Sequence, residues 1–495
     1  MRSSGVLMHI TSLPGPYGIG TMGKEAFAFV DFLKEAGQSC WQLLPLNPTG
    51  YGDSPYQSCS AYAGNHYLID LDQLAEEGLL DREELTSLRW CRKDTKVDFG
   101  RIYKLRLNVL RKAYSRFTGS EAFDRFCAGN DSWLSDFALF MALKDRHNGK
   151  PWYDWEENYK FRKADALREA RETLRGEIHF YCFIQFLFHK QWSALRSYAN
   201  AQGIRIIGDV PIYVPLDSVE VWSQPELFQL DEKLDPVAVA GCPPDAFTED
   251  GQLWGNPLYR WDRMQEENFA WWIRRLAAAG AWYDMVRFDH FRGFESYWAV
   301  PSGDKNARRG QWVKGPGMAF VDAVKESLPQ LQMIAEDLGY LTREVLELRD
   351  GSGFPGMKVL QFAFDSREPS EYLPHTYIPN SVCYTGTHDN VTTRQWFETS
   401  DAETVAHAKE YMRLNKAEGY VWGMIRTAYA SVSELCIIPL QDFLNLGAEA
   451  RMNFPGTMSD KNWTWRVKEG KINSRLARRI YQLTKLYGRL ACAEE

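Results

Sequence analysis

Short apolar runs, each closed by a turn residue or a polar residue, recur eight times along this 495-residue chain, and nothing else limits its fold so tightly. They are Gly5–Ile10, Cys40–Leu46, Ile204–Asp209, Met285–Asp289, Leu331–Glu336, Lys358–Phe362, Val382–Thr385 and Leu435–Leu440. Runs this short and continuously apolar read as strands buried on both faces, the pattern of a parallel sheet; half-exposed strands would alternate. Helical patterns lie between them at Lys24–Ala36, Trp271–Ala279, Met318–Ser327 and Thr342–Arg349, so strands and helices take turns. Eight such units predict an α/β fold, a closed (β/α)8 TIM barrel, with an open doubly wound sheet as the alternative.

Between the second and third runs lies a long span in which Glu76–Leu88, Asp98–Phe117, Ala164–Arg175 and His179–Ala199 repeat apolar residues at spacings of three and four, the helical period. The last of these leads back into the third strand, so residues 48–178 are expected to form a large, mainly helical insertion at the C-terminal face of the barrel. A second excursion, residues 210–261, is rich in Pro, Gly and aromatics and reads as a long structured loop over the strand ends. The length prior suggests about three domains, yet barrels with insertions run past about 400 residues as one unit, so residues 1–495 are expected to form one catalytic barrel domain.

Composition excludes several function classes. The chain is 45% hydrophobic and 25% charged, an ordinary balance for a folded protein, with a formal charge of -7 and no long basic run. A nucleic-acid partner and an anionic membrane surface are therefore not expected. The apolar stretch near the N-terminus is interrupted by His9 and is too short for a signal-peptide core, and no membrane span is apparent. The nine cysteines are scattered, without a Cys-x-x-Cys pair, which suits free thiols in a reducing cytoplasm. Gly351-Ser-Gly-Phe-Pro-Gly356 matches a dinucleotide fingerprint by letter, but it precedes a strand instead of following one, and reads as a helix stop. Nothing has metal-ligand spacing, so neither a metal nor a cofactor is expected.

Chemistry is suggested by carboxylates at strand exits: Asp209, Asp289, Glu336 and, after a short turn, Asp389. The C-terminal strand ends of a β/α barrel form one face, where these four converge. A single acid there is ordinarily a helix cap; four recurring, several flanked by Arg or His, weaken that reading. Arg287 and Asp289 are two apart on a strand and share a face, and a cation so close keeps a carboxylate ionised, as a nucleophile requires. An acid partner needs a raised pKa, which the apolar strand before Glu336 can supply by burial. Asp337 is equally placed, and alternation puts only one of the two toward the site. Carboxylates about 5–5.5 Å apart give retaining glycosyl transfer, and about 6.5–9.5 Å apart give inversion. Tyr56, Trp254 and Tyr259 in Gly/Pro-rich loops suit the apolar faces of sugar rings, though such aromatics are more often packing plugs.

With these segments in view, the chain resembles the amylomaltases, or 4-α-glucanotransferases, of glycoside hydrolase family 77, relatives of the α-amylases. The likeness runs through nearly the whole chain: Thr11–Gly20, Trp41–Leu46, Pro48–Gln57, Gly208–Tyr213, Gly251–Tyr259, Val286–Gly293, Ala335–Gly339, Gly386–Asn390 and Arg451–Thr457. The resemblance implies Asp289 as nucleophile, Glu336 as general acid/base in preference to Asp337, and Asp389 as a third carboxylate that holds sugar hydroxyls. It implies Arg287, His290 and His388 as donor-sugar ligands with Asp209 and Asp365 nearby, Trp254 with Gln252 on a mobile covering loop, Tyr56 as a stacking platform, and Asn453 as a late contact. Departures are few: Phe288 stands where a smaller aliphatic is expected, and Cys242 and Ala246 vary the loop before Trp254. The implied reaction is disproportionation, with maltooligosaccharides and α-1,4-glucans such as starch or glycogen as donor and acceptor. An α-amylase-type hydrolase and a non-catalytic glucan-binding protein are the rival expectations.

Overall fold

The computed structural model describes residues 2–244, 249–339, 341–365 and 370–491. Eight parallel strands close a barrel: β1 Ser3–Leu7, β2 Cys40–Gln42, β3 Arg205–Val210, β4 Met285–Phe288, β5 Gln332–Ala335, β6 Gly356–Val359, β7 Ser381–Tyr384 and β8 Leu435–Pro439. Each forms from one of the eight apolar runs, and β1 pairs with β8 from Ser3↔Leu435 to Leu7↔Pro439, which closes the sheet and removes the open-sheet alternative. Several strands end earlier than the apolar runs do. Ile10–Ser12, for example, is a 3₁₀ turn, and Asp289 and Glu336 lie one residue beyond β4 and β5. The chain leaves the ladder there to build the barrel mouth, which frees those side chains from the strand surface.

Close approach dictates some residue types. A Cβ on Gly5 would fall 2.5 Å from the Cys40 carbonyl oxygen on β2, so only glycine lets β1 and β2 pair here. The decoy glycine motif behaves as a helix stop: helix Arg343–Ser352 ends on Gly353 in the left-handed region at φ 73°, and Gly356 opens β6.

Helices Lys24–Glu35, Arg175–Ala201, Ala270–Trp282, Met318–Ser327 and Arg343–Ser352 lie between successive strands, and the aromatic-rich core fills the layer between them and the barrel. Among the described residues the β6–β7 connection holds only short 3₁₀ turns. The span before Arg175 is helical but divided differently from expectation. The predicted helix Glu76–Leu88 splits into Leu71–Glu76 and Arg82–Thr86, because Gly78 turns the chain at φ 76° and Asp81 caps a new start. Helices Glu121–Gly129 and Asp131–Arg146 lie outside the four helical patterns read from the sequence; the second buries Leu134, Phe137, Leu139, Phe140 and Leu143 around much of its girth, which blurs the amphipathic period.

The excursion after β3 is more ordered than a loop. Its segments Ala238–Cys242 and Gln252–Pro257 join Ser296–Pro301 and Gln311–Lys314 in a four-stranded antiparallel sheet, with Gly251 turning at φ 64°. The second pair comes from beyond β4, so pairing across that distance in sequence left no local trace. None of the eight described cysteines forms a disulfide. Among the described residues no helix is long and apolar enough to cross a membrane, and no cluster of His, Cys, Asp or Glu is arranged to hold a metal.

Candidate active site

Asp209 on β3 and Arg287 on β4 are register partners, so the barrel itself sets their spacing. Both are buried, and Arg287 Nη1 donates to Asp209 Oδ1 and Oδ2 at 2.8 and 2.7 Å and to Asp289 Oδ1 at 3.1 Å. One guanidinium thus orients two carboxylates. Burial pushes Asp209 up to about 7, while the Arg287 cation and the Tyr56 hydroxyl pull the other way. Tyr56 Oη donates to Asp209 Oδ2 at 2.9 Å.

Asp289 continues β4 through its N–H to the Val210 carbonyl at 3.1 Å, and its side chain keeps 29% exposure at the mouth. The next residue, His290, adopts φ 54° and ψ 48°, a left-handed conformation that costs a non-glycine residue of order 1 kcal/mol. That turn aims the His290 N–H at Glu336 Oε2, 2.7 Å away, and the Leu338 N–H reaches Oε1 at 2.9 Å. Burial raises Glu336 to about 7, with the Asp289 charge adding to the rise and Arg287 and the two amides opposing it. Asp337 faces the other way: fully packed, it accepts from Arg349 Nη1 at 2.8 Å and from the Met357 N–H at 2.7 Å. Strand alternation thus separates the two candidate acids.

Asp389 leaves β7 on a turn tied by Asn390 Oδ1, which accepts from the Thr387 N–H and hydroxyl, both at 2.9 Å. Its Oδ1 accepts from Asn453 Nδ2 at 2.7 Å and lies 3.4 Å from His388 Nε2. Tyr56 stacks on the His388 ring, centroids 5.1 Å apart at 12°, and Trp254 meets His290 edge-on at 4.8 Å, its indole N–H donating to Gln252 Oε1 at 3.2 Å. Burial lowers His388 and brings His290 to about 3, so both rings are neutral near pH 7 and exchange hydrogen bonds as dipoles.

The barrel mouth therefore brings Asp209, Arg287, Asp289, His290, Glu336, His388, Asp389, Tyr56, Gln252, Trp254 and Asn453 into one connected set. Asp365 lies on the segment leaving β6, and Ala246 falls outside the described residues. Tyr259 is no platform: it is 1% exposed, its hydroxyl donates to the Ile212 carbonyl at 2.7 Å, and its ring packs on Tyr213. Phe288 points away from the site into the helical layer, against Phe294 and Trp272. Two further residues belong to this set without a role implied by the sequence. Arg451 donates to the Asp389 carbonyl at 3.2 Å, and Trp463, at φ 64°, lies against both Tyr56 and His388, at 5.8 and 6.0 Å. Arg451 was in view within Arg451–Thr457, whereas Trp463 carried no signal beyond an aromatic in a polar loop.

A cation shared by two carboxylates, a carboxyl raised to about 7 and neutral imidazoles among aromatic rings form a set suited to acid/base and nucleophilic work on a polyhydroxylated, uncharged substrate. Comparison with known proteins agrees in kind. The sequence model of glycoside hydrolase family 77, described as 4-alpha-glucanotransferase, matches residues 8–473. A 4-alpha-glucanotransferase of Clostridium butyricum is 49% identical over 97% of this chain and 100% of its own length, and one of Streptococcus pneumoniae is 47% identical over 99% and 98%. The solved structure of an amylomaltase from Streptococcus agalactiae in complex with acarbose superposes with a TM-score of 0.96 at 43% identity, covering 99% of this chain and all of that one. An (β/α)8 barrel with this mouth, matched to these relatives along its whole length, belongs to the 4-alpha-glucanotransferase family of glycoside hydrolase family 77 and is an enzyme of that class.

Proposed function

We propose that this enzyme transfers α-1,4-glucan segments between maltooligosaccharides or longer glucans by a retaining double displacement. A carboxylate oxygen of Asp289 attacks the anomeric carbon of the donor, the glycosidic C–O bond breaks, and Glu336 gives its proton to the departing 4-oxygen. In the second half the 4-hydroxyl of an acceptor glucan loses its proton to Glu336, its oxygen bonds to the anomeric carbon, and Asp289 is released. Asp389, held by Asn453, binds hydroxyls of the donor sugar and stabilises the positive charge that develops on the ring. Arg287 and Asp209 orient the nucleophile, and His290, His388 and Asp365 contact the donor sugar.

One observation carries this reading: Glu336 is raised to about 7 and held by two backbone amides, beside an Asp289 that shares its guanidinium with Asp209. A carboxyl tuned there exchanges a proton in both directions near neutral pH. Trp254 and Gln252 cover the bound sugars, so that an acceptor glucan competes with water, and Tyr56 serves as a stacking surface. Residues 1–495 act as one catalytic barrel, with residues 48–178 and 210–261 as insertions around the mouth. Incubation with maltotriose tests the proposal: glucose together with a ladder of longer oligomers is the expected product pattern, and glucose plus maltose alone would mean hydrolysis.

A further inference from the structure

Of the 18 tryptophans in the chain, Trp312 alone is exposed, at 42%. A lone surface apolar residue needs no explanation, but this one is held in place from two sides. Trp312 stands on the edge strand Gln311–Lys314 of the antiparallel sheet. The guanidinium of Arg292 lies over its ring, 4.0 Å from the centroid. Trp298, its direct partner on the neighbouring strand, meets it edge-to-face at 5.2 Å and 67°. Trp298 is itself pinned: its indole N–H donates to the Ala307 carbonyl at 2.8 Å, and Gly310 lies so close that a Cβ there would fall 2.2 Å from Nε1.

The platform is joined to the site. Arg292 belongs to the turn after β4 that carries Asp289 and His290, its charge is felt at His290, and Lys314, two residues along from Trp312, pairs with Glu295 on the continuation of that turn. Of the charges nearby, Lys314 pairs with Glu295 and Arg309 with Asp304, and the Arg292 guanidinium is buried against the ring and not presented to solvent, so the surface around the indole offers little net charge to an anionic partner. An immobile aromatic face in near-neutral surroundings suits the apolar face of a pyranose ring, and because the ring is already fixed, binding loses little rotamer entropy.

We propose that Trp312, backed by Arg292 and Trp298, is an accessory platform that binds a glucosyl residue of a long α-1,4-glucan away from the bond being exchanged. The proposal rests on the glucanotransferase reading of Asp289, Glu336 and Asp389. It predicts a preference for long donors that short ones do not feel.

The test compares the unmodified enzyme with Trp312→Ala and Trp312→Tyr, using amylose as donor with glucose as acceptor, and separately maltotriose alone. In Trp312→Ala, kcat/KM for amylose falls about three- to tenfold through KM, the worth of one aromatic contact, while maltotriose kinetics are unchanged. Trp312→Tyr recovers most of the loss. An unchanged ratio of amylose to maltotriose efficiency, or an equal fall on both, overturns the proposal. So does a change in sedimentation of Trp312→Ala, which would assign the indole to a contact between copies of this chain. Trp312→Gln, which keeps a long side chain over Arg292, reads the same ratio should the alanine variant not fold. Failure of the unmodified enzyme to build a ladder from maltotriose would sink the glucanotransferase reading, whereas the ratio reports on the platform.

Discussion

Arg287 serves two carboxylates through a single nitrogen, and the two need it differently: Asp209 is sealed beneath it, while Asp289 remains open to the mouth. Replacing Asp289 with Asn keeps the shape and removes the carboxylate proposed as nucleophile, so on that proposal turnover of maltotriose should fall by on the order of 10⁴-fold or more while maltose binding, read by calorimetry, survives. Glu336 makes a pH-dependent prediction. Its pKa is raised to about 7, so the protonated acid is populated below that value and lost above it, and the profile of kcat/KM should carry a basic limb near pH 7. The same shift bears on stability. An unfolded Glu titrates near 4, so between about 4 and 7 the folded chain binds the extra proton and this group's contribution to stability declines as pH rises. Glu336→Gln does not titrate. Its melting temperature relative to the unmodified protein should therefore improve between pH 4 and pH 8, while its activity drops by about 10²–10⁴-fold.

Between β5 and β6 the ladder is reduced to one pairing, Gly356↔Ala335, the weakest seam in the barrel wall. Asp337 bridges it with its side chain, accepting from the Met357 N–H on β6 and from Arg349 on the intervening helix. Removing the acid takes from Arg349 one of its two carboxylate partners, leaving it Asp350, and leaves the buried Met357 amide without its acceptor, so Asp337→Ala should cost about 2 kcal/mol in denaturant unfolding, with kcat of the folded fraction nearly unchanged. The contrast with its neighbour Glu336 is a direct check on which acid faces the chemistry. On the sheet beside the mouth, Trp254 meets the rings of His290 and Tyr213 and donates to Gln252. Trp254→Ala should raise the ratio of glucose release to oligomer transfer, measured on maltotriose, and an unchanged ratio would refute a water-excluding role.

At the scale of the molecule, closure depends on β1 meeting β8, and the far end of that seam is stapled from outside. Arg489 is fully buried and donates to the carbonyls of Tyr429, Ser3 and Ser431 at 2.8, 2.9 and 3.0 Å, and Arg2 reaches Tyr429 and Ser431 as well. These carbonyls lie at the start of β1 and just before β8, the end of the barrel remote from Asp289. Arg489→Ala leaves them buried without that donor and should lower stability by about 3 kcal/mol or more in urea titration, with KM for maltotriose unaltered.

Local pattern by itself determined the eight strands, the position of carboxylates at their exits and the shared face of Arg287 with Asp289, because each depends on neighbours within a few residues. Motif likeness added His290, His388, Asp365, Asn453 and Gln252 to the candidate set. Only the tertiary structure decided the rest. Alternation leaves Glu336 and Asp337 on opposite faces without saying which face is inward, and the likeness alone chose Glu336; the tertiary structure supplies the physical reason, since barrel closure turns Glu336 toward Asp289 and Asp337 toward Arg349, and the raised pKa of Glu336 follows from its burial. The antiparallel sheet joins segments on either side of β4, Tyr259 became a packing residue once Tyr213 and Ile212 surrounded it, and Trp463 reached Tyr56 from the far end of the chain. Each of these rests on contacts between residues distant in sequence, which short-range periodicity does not encode.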